Sequence, residues 1–401
     1  MTARAPVNIE DLQERARRRL PKVVYDYLAG GAEDEVTLAN NRSAFRSYQF
    51  HPKVLTGVGK PDLSIEILGR RSSAPFLVGP TGLNGLFRTD GDVLLARAAF
   101  ATGVAFTLSS ASTTSIEKLA REAPGGAKWF QLYPWGDFSL SERLLTRAGD
   151  AGYEVLVVTV DALTPGKRER DLRNDFAHDV RFSARTILDG LSHPGWLSDV
   201  WLAGGMPRLE NLVEFLPATA VAHDLADFMR ESRNAKFSWP DLRRIRDLWQ
   251  GPLLVKGIMR SSDAIAAREA GADGIVVSNH GGRQLDGAAP TIDVVADIAA
   301  AVKPKLKVLI DGGFRRGTDI VKALALGADA VMLGRATLFG LAAAGMEGVQ
   351  QALGILSDET SRTMALLGCP SVAALKGGDF VRRALWLEQR MGLHHPTERD
   401  V

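Results

Sequence analysis

The sequence predicts an α/β chain built as a TIM (β/α)8 barrel, with an N-terminal helical cap and a long insertion after the fourth strand. Three observations carry this reading. Eight short β-branched or apolar runs alternate with segments of helical period from residue 75 to residue 336. The intervening segments are each near a dozen residues, with apolar positions at i, i+3 and i+4. The polar residues of the runs gather at their C-terminal ends, where such a barrel builds its site and a doubly wound sheet is less well matched.

Taken in order, Asn8 caps a helix running to Leu20, and Pro21 opens a second that ends near Gly30 and Gly31. These belong to a helical segment over 1–70, distinct in character from the alternating region C-terminal to it. The strands are PFLVGPTG (75–82), VAFTLSS (104–110), KWFQLY (128–133), VLVVTVD (155–161), LLVKGI (253–258), GIVVSNHGG (274–282), KVLIDGG (307–313) and AVMLGRA (330–336). DVLLARAAFATG, SIEKLAREA, SSDAIAAREAGA and GTDIVKALALGA are helices between them. About 90 residues separate the fourth strand from the fifth, far more than a loop needs, so 176–237 is a lid, a docking element or partly disordered. The barrel then spans 71–355, and 356–401 form a C-terminal helix and tail.

Composition excludes several classes. With 49 basic and 47 acidic residues the net charge is +2, and no basic block with interleaved aromatics points to nucleic acid. The single cysteine, Cys369, rules out an internal disulfide or a CxxC metal site and is expected to be a small buried hydrophobe. No metal is expected, since the histidines, His394 and His395 of the tail included, lack ligand spacing with carboxylates. The N-terminus has no signal-like apolar stretch and no apolar run is long enough to span a bilayer, which points to the cytoplasm.

The strand ends carry the chemistry. Thr81, Ser109, Gln131, Tyr133, Thr159, Asp161, Lys256, Ser278, His280 and Asp311 all fall on the predicted mouth. IDGGFRRG and MLGRA end the seventh and eighth strands with exposed backbone N–H groups and Arg315 or Arg335, a pattern suited to a phosphorylated ligand or cofactor. In SNHGGRQ, His280 projects over the mouth as a base. Gly281 and Gly282 let the backbone turn closely, and Arg283 offers a rigid fork to a carboxylate. Asp161 is placed to orient the histidine, while Arg168 and Tyr133 converge on the same anion. Lys256, inside an apolar strand, requires an anionic partner, a role that a reduced, anionic cofactor ring would fill.

These motifs, with LPKVVYDYLAGGAEDE, GPTGLNG, LSSAS, WFQLY, TVDA, KRERDLRN and LGRA, resemble the FMN-dependent 2-hydroxy-acid dehydrogenase and oxidase family over about residues 8–370. The resemblance implies oxidation of an (S)-2-hydroxy acid to the 2-oxo acid. It makes His280 the proton acceptor, with Asp161 stabilising the imidazolium. Arg283, Arg168 and Tyr27 hold the carboxylate, Tyr133 bonds the hydroxyl, and Lys256 stabilises reduced flavin; Tyr25 is left to packing. FMN is expected to contact Thr81, Gly82, Ser109, Gln131, Thr159 and Ser278, with its phosphate near Asp311, Gly313, Arg315, Gly334 and Arg335.

GPTGLNG and YDYLAGGAEDE are most similar to (S)-mandelate dehydrogenases, so mandelate or another aromatic 2-hydroxy acid leads, with L-lactate as the alternative. Gly82, where glycolate oxidases have alanine, points to a quinone or other carrier as electron acceptor, the alternative being an oxygen-using oxidase. The resemblance also implies a homo-oligomer, a tetramer. Residues 193–207 offer Trp196, Leu197, Val200, Trp201, Leu202 and Met206 as a peripheral membrane surface on the cytoplasmic face, against a lid or subunit contact. Residues 176–237 hold eight acidic and six basic side chains, a poor match to anionic lipid, and HPGW...DV is closer to lactate dehydrogenases.

Overall fold

Successive side chains of a strand point to opposite faces, so a strand enclosed on both sides must be apolar throughout. Eight such strands occur in the computed structural model, which describes residues 5–176, 184–205, 207–215 and 234–384. They are β1 Phe76–Val78, β2 Phe106–Ser109, β3 Lys128–Leu132, β4 Val155–Thr159, β5 Leu253–Ile258, β6 Gly274–Val277, β7 Lys307–Ile310 and β8 Ala330–Leu333. Each pairs in parallel with the next, and β8 closes on β1 through Val331 opposite Phe76, giving a closed barrel with helices outside. This is the predicted TIM barrel. The expected strands end sooner than their apolar patterns suggested. Positive φ at His280, Gly281, Gly282, Gly312 and Gly313 takes the chain out of the ladder and into loops over the mouth.

The barrel interior has a core of its own. Leu77, Trp129, Val157, Leu254, Val276, Leu309 and Met332, each from a different strand, cluster inside it with Ala105 just before β2, apart from the larger core between strands and helices. A hairpin of Ile65–Ile67 and Arg70–Ser72 inserts Ile67 beneath them. Full burial of side chains of this kind contributes about 1.5–3 kcal/mol each for the larger ones.

The N-terminal helices α1 (Ile9–Arg19) and α2 (Lys22–Ala29) form as their caps require. The Asn8 side chain accepts from the Asp11 N–H at 2.8 Å, and three arginines occupy the last turn of α1. Ile9, Leu12 and Ala16 are buried in the main core. The segment is not helical throughout, however. Tyr48–Phe50 pairs antiparallel with Val381–Arg383, and the Ile65–Ser72 hairpin lies within or beside the part read as cap. The first depends on a partner remote in sequence, and the hairpin strands are three residues each, too short for local periodicity to announce them.

Beyond α2 the chain wraps the loop after β6. Ala32 N–H donates to the Gly282 carbonyl at 2.9 Å, and the Asp286 carboxylate accepts from the N–H groups of Val36 and Thr37 at 3.1 and 2.7 Å. An alternative side chain at position 282 would not fit, because a Cβ there would stand 2.6 Å from the Leu38 nitrogen.

The described part of the long insertion docks rather than projects. Trp196 donates its indole N–H to the Leu86 carbonyl at 2.7 Å, Asp199 pairs with Arg88 at 2.9 Å and with Arg19, and Trp196 and Val200 are buried. This corrects the expectation that both line a membrane surface. An apolar run has the same pattern whether it meets lipid or its own barrel. Met206, His394 and His395 lie outside the described residues. Among the described residues, no helix is long and apolar enough to cross a membrane. Cys369 is buried, as its reading as a small hydrophobe requires.

Candidate active site

Two residues beyond the apolar interior layer, strand alternation brings a second set of side chains inward at the C-terminal end. Thr107, Gln131, Thr159, Lys256, Ser278 and Asp311 follow Ala105, Trp129, Val157, Leu254, Val276 and Leu309 by two positions each. In β1 and β8 the equivalent positions are Gly79 and Gly334. One barrel therefore has an apolar floor and a polar ceiling.

Lys256 is set within this ceiling by an irregularity in β5. The register with β6 shifts between Lys256 and Ile258, at Gly257 with φ +112°. Only glycine fits there, since a Cβ would stand 2.6 Å from the Asp161 Cβ. The Lys256 ammonium donates to Ser278 Oγ at 2.8 Å, lies 3.0 Å from Asp311 Oδ2 and 4.0 Å from Asp161 Oδ2. Burial penalises its charge, but Asp311 and Asp161 outweigh that penalty and push its pKa up. The anionic partner required by the sequence is thus a pair of carboxylates of the chain. Asp311, expected beside a phosphate, instead faces Lys256; a carboxylate in a phosphate pocket would repel its ligand.

His280 is the turning point of the β6 loop. It adopts φ +56°, followed by Gly281 at +64° and Gly282 at +75°. The conformation is uncommon for a residue with a side chain, and here its N–H is fixed on Ser278 Oγ at 3.1 Å. The turn brings Nδ1 to 2.7 Å from Asp161 Oδ1. Burial, assisted by the charges of Lys256 and Arg168, lowers the imidazole pKa despite Asp161. Burial opposes ionisation of Asp161 as well, but His280 and Lys256 prevail and hold its pKa below the ordinary value. The result is a neutral imidazole oriented through Nδ1 by an ionised carboxylate, so that Nε2 is the ring nitrogen not engaged by Asp161.

The cations gather beside it. Arg283 Nη1 donates to the carbonyls of Tyr27 at 2.8 Å and Gly30 at 2.9 Å, with its guanidinium 5.0 Å from the Tyr27 ring centroid. Burial and the neighbouring Arg168 bring its pKa down to about 10. Among the described residues, no carboxylate lies within ion-pair distance of Arg168 or Arg283. The Tyr133 ring lies near-parallel to His280, centroids 6.4 Å apart. Tyr27 is partly buried against Phe176 and Phe87, and desolvation raises its phenol pKa. Tyr25, on another side of α2, accepts from Gln13 at 3.1 Å and packs on the core.

Arg335 differs from its expected use. Its Nε, Nη1 and Nη2 donate to the carbonyls of Leu28, Gly281 and Gly30 at 3.2, 2.9 and 2.7 Å, binding the cap to the mouth. Burial and the nearby Arg283, Arg315 and Arg168 lower its pKa strongly. Arg315 is buried over the Phe339 ring, with its pKa lowered to about 10 by burial and Arg42.

The residues present suit the FMN that the resemblance implies. Thr107 Oγ1, Gln131 Nε2, Thr159 Oγ1, Asp311 Oδ1 and Arg315 Nε are buried and meet no hydrogen-bond partner among the described residues. Each such atom costs about 1–3 kcal/mol if left unmet, so five around one mouth mark a place for a polar ligand. Ser109 Oγ, bonded to Gln131 Oε1 at 2.7 Å, orients the amide N–H outward from that bond. Gly334 precedes the helix Arg335–Leu366, whose first N–H groups favour a phosphate, with Arg315 nearby. Thr81 and Gly82 lie in the loop after β1. A Cβ on Gly82 would stand 3.1 Å from the Ala111 carbonyl oxygen, and Gly313 meets the Asn41 backbone too closely for any side chain.

Several contributors were missed from sequence. Thr107 is the inward residue of β2 and was detectable by counting in twos. Asn279, which exchanges 2.9 Å amide bonds with buried Asn41, and the Gly30 carbonyl are set by contacts across more than 200 residues and left no local signal.

Residues 16–382 match the FMN-dependent dehydrogenase family. The chain is 48% identical to the (S)-mandelate dehydrogenase of Pseudomonas putida over 369 residues, 92% of each chain. It is 41% identical to an L-lactate dehydrogenase of Haemophilus influenzae over 366 residues, 91% of this chain and 96% of the relative. A crystal structure of the monotopic membrane protein (S)-mandelate dehydrogenase superposes with TM-score 0.90 at 46% identity, covering 95% of this chain and all of that one.

Proposed function

The chain belongs to the FMN-dependent dehydrogenase family, and from that premise we propose that it oxidises an aromatic (S)-2-hydroxy acid, (S)-mandelate or a ring-substituted form, to the 2-oxo acid. It is an FMN-dependent 2-hydroxy-acid oxidoreductase. The reaction removes two electrons and two protons from the substrate, and FMN, when bound, supplies the two-electron acceptor.

The observation that carries the reading is a largely buried His280 whose imidazole pKa is lowered, bonded to Asp161 at 2.7 Å, beside two guanidiniums without an ion-paired carboxylate among the described residues. Arg283 and Arg168 take the substrate carboxylate, assisted by Tyr27. Tyr133 bonds the 2-hydroxyl. His280 accepts a proton at Nε2, and Asp161 stabilises the imidazolium so formed. Lys256 presents its ammonium where negative charge accumulates on reduction.

Anaerobic addition of substrate tests this directly. Rapid bleaching of the flavin's visible band by (S)-mandelate and not by (S)-lactate is expected. Bleaching by lactate alone moves the substrate to the alternative favoured by the HPGW...DV stretch and the lactate dehydrogenase relatives.

Electrons leave to a quinone or another carrier rather than to oxygen, which Gly82 supports; reoxidation by air is expected to be slow. The peripheral membrane surface comprises Ile187, Leu188 and Leu191 on the helix Ala184–Leu191 together with Trp201 and Leu202, all exposed. It replaces the wider 193–207 set, from which Trp196 and Val200 are withdrawn. Co-sedimentation with lipid vesicles, lost on Leu188→Asp and Leu202→Asp, checks it. The chain assembles as a homo-oligomer, a tetramer, which light scattering measures.

A further inference from the structure

Lys256 is the centre of a chain of contacts joining the two halves of the site. Toward the proton acceptor, Ser278 Oγ accepts from Lys256 at 2.8 Å and from the His280 N–H at 3.1 Å, and its own hydrogen lies toward Asp161 Oδ2 at 3.4 Å. Asp161 is engaged by His280 at 2.7 Å and stands back from Lys256 at 4.0 Å. In the other direction, Asp311 Oδ2 approaches the ammonium to 3.0 Å. Asp311 is therefore the nearer counter-charge of Lys256. Among the described residues, Lys256 is the sole cation at ion-pair distance from it. Its second oxygen, Oδ1, is buried and has no hydrogen-bond partner among the described residues. Lys256 on β5 and the residue after β7, Asp311, share the inward parity on either side of β6, and the ammonium is buried between them.

We propose that Asp311 is a positioning residue that sets, through Lys256, how strongly the bound flavin attracts electrons. This rests on the reading that places Lys256 beside the flavin. An ammonium near the ring favours electron uptake because it stabilises the added negative charge. A carboxylate 3.0 Å from that ammonium offsets part of its field and holds it on the β7 side, away from Asp161. The same ammonium then serves the flavin without withdrawing Asp161 from His280. Asp311 keeps the tuning of electron transfer separate from the tuning of proton transfer.

The test is the midpoint potential of the holoenzyme flavin, equilibrated with a reference dye. Asp311→Asn preserves shape and removes charge. It is expected to raise the midpoint by about 30 mV, equal to tenfold in equilibrium constant for a two-electron couple. It should also move the acid limb of kcat/KM to lower pH, as Lys256 turns toward Asp161. In a Lys256→Met background, where there is no ammonium to offset, the same change is expected to move the midpoint less than a third as far. In a Lys256→Arg background it should act as in the native enzyme. An unmoved midpoint in Asp311→Asn overturns the proposal. So does an equal shift with and without Lys256, which would make Asp311 act on the flavin directly. If Lys256→Met alone leaves the midpoint unchanged, the placement of Lys256 itself is wrong, a distinguishable failure.

Discussion

The floor and the ceiling of the barrel are made by the same strands, two residues apart. On the floor, Leu254, Val276 and Leu309 are fully buried in an apolar layer. On the ceiling, Lys256 and Ser278 are buried and Asp311 is nearly so, but they are charged or polar, and several neighbouring polar atoms have no partner among the described residues. The floor is complete when the chain folds, whereas the ceiling is complete only with its cofactor. Stability and chemistry are thus separated by about 7 Å along a strand.

The sharpest way to break this division is to change each layer and ask which property responds. His280→Gln should lower kcat by about 10³-fold or more, through loss of the proton acceptor, with little change in the thermal unfolding midpoint. A comparable fall in stability would show that the ceiling also supports the fold. Leu254→Ala should do the reverse. Denaturant unfolding is expected to show about 2–5 kcal/mol of destabilisation, and kcat per folded molecule to hold. Arg283→Lys keeps the charge and loses the fork, so KM for the 2-hydroxy acid should rise about tenfold, more than kcat falls. Thr159→Val removes, at nearly constant volume, a hydroxyl that has no partner among the described residues. FMN affinity, measured by fluorescence titration, should weaken several-fold while the apoprotein is no less stable.

The pH dependence refines the comparison further. The base form of His280 is required, and it predominates above the imidazole pKa. Because that pKa is lowered in the folded protein, kcat/KM should remain on its plateau below the ordinary histidine value of about 6.5 and decline only at more acidic pH. A decline centred above that value would mean that Asp161 outweighs burial.

Much of this division was legible in the sequence. A lysine in LLVKGI, a serine after GIVV and an aspartate after KVLI each break an apolar run at the same end, and alternation fixes which way they point. The same rule would have found Thr107, but a threonine inside VAFTLSS resembles an ordinary strand residue. What could not be read is identity of partner. Nothing local tells that Lys256 meets Asp311, that Arg335 serves backbone carbonyls of the cap, or that Trp196 faces Leu86. Each depends on loops brought together by barrel closure, and an arginine beside glycines has one pattern for a phosphate and for a carbonyl.

The clasp of Arg335 on Gly30 has a consequence in time. These residues lie 305 positions apart, and Tyr48–Phe50 finds its strand partner only at Val381–Arg383. At a synthesis rate of about 5–20 residues per second, the first cap helices leave the ribosome roughly 15–60 s before the arginine that fastens them. Because β8, which closes the barrel on β1, immediately precedes that arginine, the cap waits unfastened until the barrel itself can close, and the two events fall together at the end of synthesis.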